Sequence, residues 1–180
     1  MKKDRKDLTF HIILGGLTAA FYVILTIFSA FFNIAYGGVQ CRLSEALCIL
    51  PAFFPSAVAG LTLGCVISNF FSPMMVLDVI FGSVATLIAA VLGRWLRKFK
   101  VKGIPVLLPL PAVVVNAIIV GLEVTFFMEG GVGFWIIAAQ VAAGQIISCY
   151  GLGIPLYLCL EKLGLQKLVQ KHTKWGSNIK

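Results

Sequence analysis

LSEALCILPAFFPSAVAGLTLGCVISNFFSPMMVL, residues 43–77, is an apolar run interrupted by Pro51 and Pro55. Each proline removes a backbone donor and clashes with the preceding turn, so a single continuous helix is disfavoured. Split at the prolines, the run gives two short helices near 42–54 and 56–71, followed after Ser72-Pro73 by a third near 76–97. Whether the two short helices cross a membrane as a pair decides the architecture.

The rest of the chain is consistent with a membrane as solvent. Of its 180 residues 59% are hydrophobic and only 12% charged, which leaves too little polar surface for a soluble fold. Further apolar runs lie near 8–36, 79–93, 104–127 and 132–160. Each crosses, or nearly crosses, ~30 Å of hydrocarbon at ~1.5 Å per helical residue. Their connections are too short to fold alone, so residues 1–180 form one domain. The basic leader Met1–Asp7 resembles the start of a signal peptide. The apolar run that follows it to Phe32 is longer than an h-region and lacks a convincing cleavage site, so it is expected to stay as the first span.

The cations fix the count of spans. Lys2, Lys3, Arg5 and Lys6 precede the first run; Arg94, Arg97, Lys98, Lys100 and Lys102 precede the run at 104–127; Lys162, Lys167, Lys171, Lys174 and Lys180 follow the last. If all three clusters are cytoplasmic, the chain crosses an even number of times between each pair. Residues 8–93 must then hold four crossings, which requires the split at Pro51–Pro55. The expected fold is an all-α, multi-pass bundle in the cell membrane. Its six transmembrane helices lie near 8–32, 42–54, 56–71, 76–97, 104–127 and 133–160, with both termini cytoplasmic. The basic tail 161–180 alternates lysines with Leu163, Leu165, Leu168 and Val169, which suits the inner membrane surface with Trp175 near the headgroups. The net charge of +8 therefore points to anionic lipid rather than nucleic acid.

Catalytic apparatus is not visible. The sequence has no G-x-x-x-x-G-K-[ST] loop, H-E-x-x-H helix or G-x-S-x-G elbow. Cys41, Cys48, Cys65, Cys149 and Cys159 lack ligand-like spacing and read as small packing residues. His11 and His172 read as interfacial residues at opposite ends of the chain. No enzyme activity, metal or cofactor is expected. The acids say more. Glu45, Asp78, Glu123 and Glu129, with the single outlying cation Arg42, fall on the outer side of the expected topology. Ionisable groups at membrane depth are costly unless they face a partner or a cavity, so they are candidates for function.

Glu123 lies about one turn, ~6 Å, from the outer end of its helix, and Asn116 shares its face seven residues earlier. The segment 36–45 gathers Gln40, Arg42 and Glu45 beside Gly37-Gly38, where Ser44 could cap the next helix and Arg42 could pair with Glu45. Asn69 and Asp78 flank the Ser72-Pro73 turn, as either loop caps or site residues. Gln140 and Gln145 could serve a site or bond helix to helix. The small residues Gly15, Gly16, Ala19 and Ala20 form ridges on the first helix that permit close approach of another helix, from this bundle or from a partner.

The stretches Tyr-Gly-Gly-Val-Gln-Cys-Arg-Leu-Ser-Glu-Ala-Leu at 36–47, Gly-Leu-Thr-Leu-Gly-Cys-Val-Ile-Ser-Asn at 60–69 and Leu-Asp-Val-Ile-Phe-Gly-Ser-Val-Ala-Thr-Leu at 77–87 resemble the QueT family of queuosine-precursor transporters. The resemblance implies a bacterial substrate-specificity (S) component of an energy-coupling factor (ECF) transporter. Such a component has six helices and an outer site closed by the loop between the first two. The implied substrates are 7-deazaguanines such as preQ1 or queuine. The implied partners are a coupling membrane subunit and two ATPases, which use the ATP. It carries Gln40, Arg42, Glu45, Asn69, Asp78, Asn116 and Glu123 into the site, to which Gln140 is added from its place in the last helix. Cys41, where an aromatic residue is expected, and Val23, where alanine is common, depart from the family pattern. A carboxylate accepts adjacent N–H donors of a guanine-like edge in pairs. Glu123 or Glu45 would take that edge, Asp78 a cationic arm, and Gln40 and Asn116 the remaining polar atoms. The competing readings are an S component for another vitamin-like heterocycle, a membrane enzyme built on Glu45, Asp78 and Glu123, and an assembly protein.

The charge bias sets a test of topology. Single cysteines at Gly38 and Glu129 should react with a membrane-impermeant thiol reagent from outside, and those at Lys100 and Lys174 only from inside. External labelling of the segment 98–102 would refute the six-span arrangement.

Overall fold

The first apolar run folds as one helix, α1 (Lys2–Phe31). It starts earlier than expected because the basic leader contains no helix breaker and simply continues the turn. The structure is a computed structural model that describes residues 2–35, 40–127 and 133–172. Tyr36–Val39, Glu129, Lys174, Trp175 and Lys180 lie outside the described residues, as does the side chain of His172.

The run that opened the sequence reading is split where the prolines demand, but its first half is not an α-helix. Leu43–Ala52 is a 3₁₀ helix. At ~2.0 Å per residue it reaches about 20 Å, close to the ~21 Å of the fourteen-residue α2 (Ser56–Asn69) at α-helical rise. Poor backbone geometry at membrane depth is tolerated only where protein surrounds it, and Ser44 to Pro51 are all buried. The bend itself leaves a debt. Pro55 has no N–H to offer the Pro51 carbonyl, and Nη1 of Arg94, from a distant helix, donates to that oxygen at 2.7 Å.

Four more helices follow among the described residues: α3 (Met75–Leu96), α4 (Leu110–Phe127), α5 (Phe134–Lys162) and the short α6 (Leu165–His172). Two of them contain a wide π turn, at Asp78–Gly82 in α3 and at Ile146–Leu152 in α5. Helix α4 begins at Leu110 rather than near 104. Pro105 and Pro109 push the residues before them out of the helical region, while Pro111 sits in the first turn where its missing N–H costs nothing. The link before it turns tightly between Val101 and Ile104, with Lys102 at φ 51° and Gly103 at φ 84°, the left-handed pair that a type I′ turn requires. By length and composition α1, α3, α4 and α5 can each cross a membrane, and the 3₁₀ helix and α2 are shorter apolar segments between them.

Helices α1 and α2 lie side by side and parallel, because Gly60 meets Gly15 and, one turn on, Gly64 meets Ala19 and Tyr22. A Cβ on Gly60 would stand 2.5 Å from the Gly15 carbonyl oxygen, and one on Gly64 would stand 2.7 Å from Cβ of Tyr22. This Gly-x-x-x-Gly pair, not singled out from sequence, is what lets the helices touch. It also divides the small residues of the first ridge. Gly15 and Ala19 are occupied inside the bundle by α2, whereas Gly16 has nothing within 4 Å and Ala20 is exposed.

The polarity of the molecule is inverted relative to a soluble protein. Thr18, Tyr22, Thr26 and Ser29, one stripe of α1, are buried, while Leu17, Phe21, Ile24 and Phe28 on its other side are exposed. Large apolar side chains cover the surface of every long helix, including Trp95, Phe126 and Trp135. That surface suits hydrocarbon and not water. An apolar core cluster that includes Ile49, Phe53, Leu61 and Tyr157 fills the middle, with the Phe53 and Tyr157 rings 5.0 Å apart.

Adding a methyl group at Gly60 should separate α1 from α2 and cost ~1–3 kcal/mol. Gly60→Ala is therefore expected to lower the melting temperature of the purified protein in detergent, and Gly16→Ala, facing open space, to leave it unchanged. Equal melting of the two variants would show that the close approach is not required.

Candidate functional site

One buried cation organises the end of the bundle opposite the basic clusters. Arg42, just before the 3₁₀ helix, is 4% exposed. Its Nε donates to the Ala35 carbonyl at 3.1 Å and its Nη1 to Oδ1 of Asn69 at 3.2 Å. Asn69, the last residue of α2, passes the connection on: its Nδ2 donates to the Asp78 carbonyl at 2.6 Å. The Asp78 carboxylate is held by the hydroxyl of Ser72, in the turn between α2 and α3. The wide turn that starts at Asp78 brings Gly82 under Asn69, where a Cβ would stand 2.8 Å from Nδ2. Turns of this kind recur at functional positions because they re-aim a helix face.

Glu45 faces the same guanidinium from the first turn of the 3₁₀ helix. Its Oε1 accepts the Tyr22 hydroxyl at 2.6 Å. The expected capping by Ser44 is not what the structure shows: no side chain of the 3₁₀ segment caps it. Instead α1 supplies the bonds, with Thr26 Oγ1 donating to Ser44 Oγ at 2.7 Å and Ser29 Oγ accepting from the Leu43 N–H at 3.0 Å. Below Glu45 a small cavity is lined by Tyr22, Cys48, Leu61, Thr86, Ala89, Ala90 and Ala112.

Glu123 reaches the group from α4. It is 3% exposed, and among the described residues neither carboxylate oxygen has a hydrogen-bond partner. Its charged neighbours are Asp78 and Arg42. Three acids, Glu45, Asp78 and Glu123, thus share an electrostatic neighbourhood with one guanidinium. Such a centre can present several acceptors to a ligand that brings donors or positive charge.

The remaining candidates divide. Asn116 is buried on the Glu123 side of α4, but its Nδ2 is turned to its own helix, donating to Ala112 at 2.9 Å. Gln40 is buried, and its backbone crosses Gly144 so closely that a Cβ there would stand 2.3 Å from the Gln40 carbonyl oxygen. Gln140, expected in the site, is half-buried, whereas Gln145 is 2% exposed and accepts Sγ of Cys149 at 3.3 Å. The same thiol approaches the Glu45 carbonyl at 3.6 Å, so α5 touches the site backbone through Gln145 and Cys149. Sequence reasoning missed Tyr22, Ser72 and Cys149. The spacing of Thr18, Tyr22, Thr26 and Ser29 at three- and four-residue intervals was the available signal for Tyr22.

An apolar surface on every long helix, with a buried polar cluster at one end of the bundle, suits a membrane protein, and residues 12–162 match the family model described as "QueT transporter". The chain belongs to the QueT transporter family, which consists of transporters and not enzymes. It is 40% identical over 89 residues to a protein of Lactococcus lactis subsp. cremoris (strain MG1363) named "Queuosine precursor transporter QueT". That alignment covers 49% of this chain and 52% of the relative, so the chain spans about half the length of the curated relative it matches. No solved structure matches the chain.

The bonding pattern separates two kinds of acid. Tyr22→Phe leaves Glu45 without its donor and should lower the ligand-free melting temperature, at a cost of ~1–3 kcal/mol. Glu123→Gln replaces a buried carboxyl group whose oxygens have no hydrogen bond of ordinary geometry among the described residues, and should keep or raise that temperature. A large loss of stability in Glu123→Gln would make Glu123 a structural contact.

Proposed function

We propose that this protein is the substrate-binding S component of an ECF-type importer for queuosine precursors. The observation that carries the reading is the buried Glu123 carboxyl group, whose side-chain neighbour is a second acid, Asp78, and whose oxygens have no hydrogen bond of ordinary geometry among the described residues. An ionised group in that setting costs several kcal/mol, and a solute with adjacent N–H donors offsets the cost when it binds. A 7-deazaguanine such as preQ1 or queuine has such an edge, and the name of the Lactococcus relative supports this substrate class. In the bound state Glu123 or Glu45 accepts the base edge and Asp78 meets a cationic arm. Gln40 and Asn116 contact the remaining polar atoms.

The proposed topology has six crossings in the cell membrane with both termini cytoplasmic. It is supported by two sets of contacts. At the basic end, His11 approaches Ser56 at 3.4 Å and Arg94 reaches Pro51. At the acidic end, Arg42, Asn69 and Asp78 are joined. The 3₁₀ helix and α2 then form a short pair that crosses behind the longer helices, and the site opens outward. A coupling membrane subunit and two ATPases supply the work, with Gly16 and Ala20 as the part of the α1 ridge still open to a partner.

The purified chain should show saturable thermal stabilisation in a panel of preQ1, preQ0, queuine and guanine. It should support accumulation in cells only when co-expressed with a coupling subunit and its ATPases. Glu123→Gln opposes a donor to the ligand's N–H groups and should weaken binding by roughly 2–4 kcal/mol, about 30- to 1,000-fold. An unchanged dissociation constant would remove Glu123 from the site. Stabilisation by none of the four compounds would refute the substrate class.

A further inference from the structure

Between Asp78 and Glu123 the sequence contains Arg94, Arg97, Lys98, Lys100 and Lys102 and no acid. The first three, with Trp95, Leu96 and Phe99, line an open cleft of about 530 Å³ at the C-terminal end of α3. Trp95 is 73% exposed and Phe99 is 60% exposed, so both rings stand beside the cations rather than in the core. Arg94 is tied to the Pro51 carbonyl, and the left-handed pair Lys102-Gly103 folds the chain back immediately beyond. A soluble anion would need only the cations. Bare aromatic rings among cations at the end of a membrane-length helix match the headgroup layer of a bilayer, where tryptophan partitions and basic residues meet anionic lipid.

We propose that this cleft binds the headgroup of an anionic phospholipid. Arg97 and Lys98 meet the phosphate, and Trp95 and Phe99 lie against the glycerol and the first acyl carbons. Arg94 fixes the wall through its bond to Pro51. The proposal rests on α3 crossing the bilayer and is independent of which solute the outer site takes.

The test uses the full chain in phosphatidylcholine vesicles containing a minor fraction of either brominated phosphatidylglycerol or brominated phosphatidylcholine. The difference in tryptophan quenching between the unaltered protein and Trp95→Phe isolates Trp95. Brominated phosphatidylglycerol should quench Trp95 preferentially. That preference should fall about fivefold for each charge removed in Arg97→Gln and Lys98→Gln. It should survive in Arg97→Lys, and in the Lys167→Gln/Lys171→Gln control, which removes equal charge from α6. Deazaguanine binding should be unchanged in all of these variants, which separates failure of this proposal from failure of the functional one. Equal quenching by the two lipids, or equal loss of preference in the α6 control, would overturn the site. Displacement of the brominated lipid by inorganic phosphate would make the cleft a soluble-anion site and overturn the lipid assignment. Quenching by neither lipid would overturn the placement of α3 as well.

Discussion

A guanidinium enclosed by an apolar bundle constrains everything near it. Lipid offers Arg42 no hydrogen bonds, so its donors must be met by protein, and loss of one partner of such a buried charge costs about 3–5 kcal/mol. The Ala35 carbonyl at α1's exit and Asn69 at the end of α2 accept from it, while Glu45 of the 3₁₀ helix and Asp78 at the start of α3 balance its charge. Each of those elements is consequently fixed at one end. The short segments need not span the full hydrocarbon thickness by themselves, because Arg42 and Asn69 pin one end of the pair while Arg94 holds the bend at the other.

The same network explains why two neighbouring acids differ. Glu45 and Asp78 are bonded within the bundle, by Tyr22 and Ser72, and help to balance Arg42. Glu123 comes from α4, which lies outside the Arg42–Asn69–Asp78 chain of bonds, and it retains unused acceptor capacity among the described residues. Local bonding, rather than depth or charge alone, thus distinguishes an acid that holds the fold from one whose acceptors are not used by it.

Much of this was legible in the sequence because lipid makes long-range rules local. The proline split, the positions of the long helices and the placing of Arg42, Glu45, Asp78 and Glu123 at one end follow from hydropathy and charge, while Asn69 was joined to them only by the family resemblance. What was not legible depended on geometry that breaks helical periodicity. Pro51 and Pro55 announced a bend but not that residues 43–52 would wind as a 3₁₀ helix. On α5, the turn at Ile146–Leu152 shifts the phase of the helix, and the buried glutamine is Gln145 and not Gln140. Gly60 and Gly64 were overlooked beside the more conspicuous small residues of α1, although the steric need for them is plain once Tyr22 and Thr18 are placed.

The enclosure of the 3₁₀ helix also bears on how the protein is made. A ten-residue segment preceded by Arg42 and containing Glu45 is a poor candidate for insertion by itself, and its i→i+3 bonding is unfavourable against lipid. Its hydrogen-bond partners on α1 are synthesised first and α2 next, but Arg94 emerges only with the end of α3. The bond that holds its proline bend therefore forms only after the end of α3 has been made, so the 3₁₀ helix is enclosed from the walls inward.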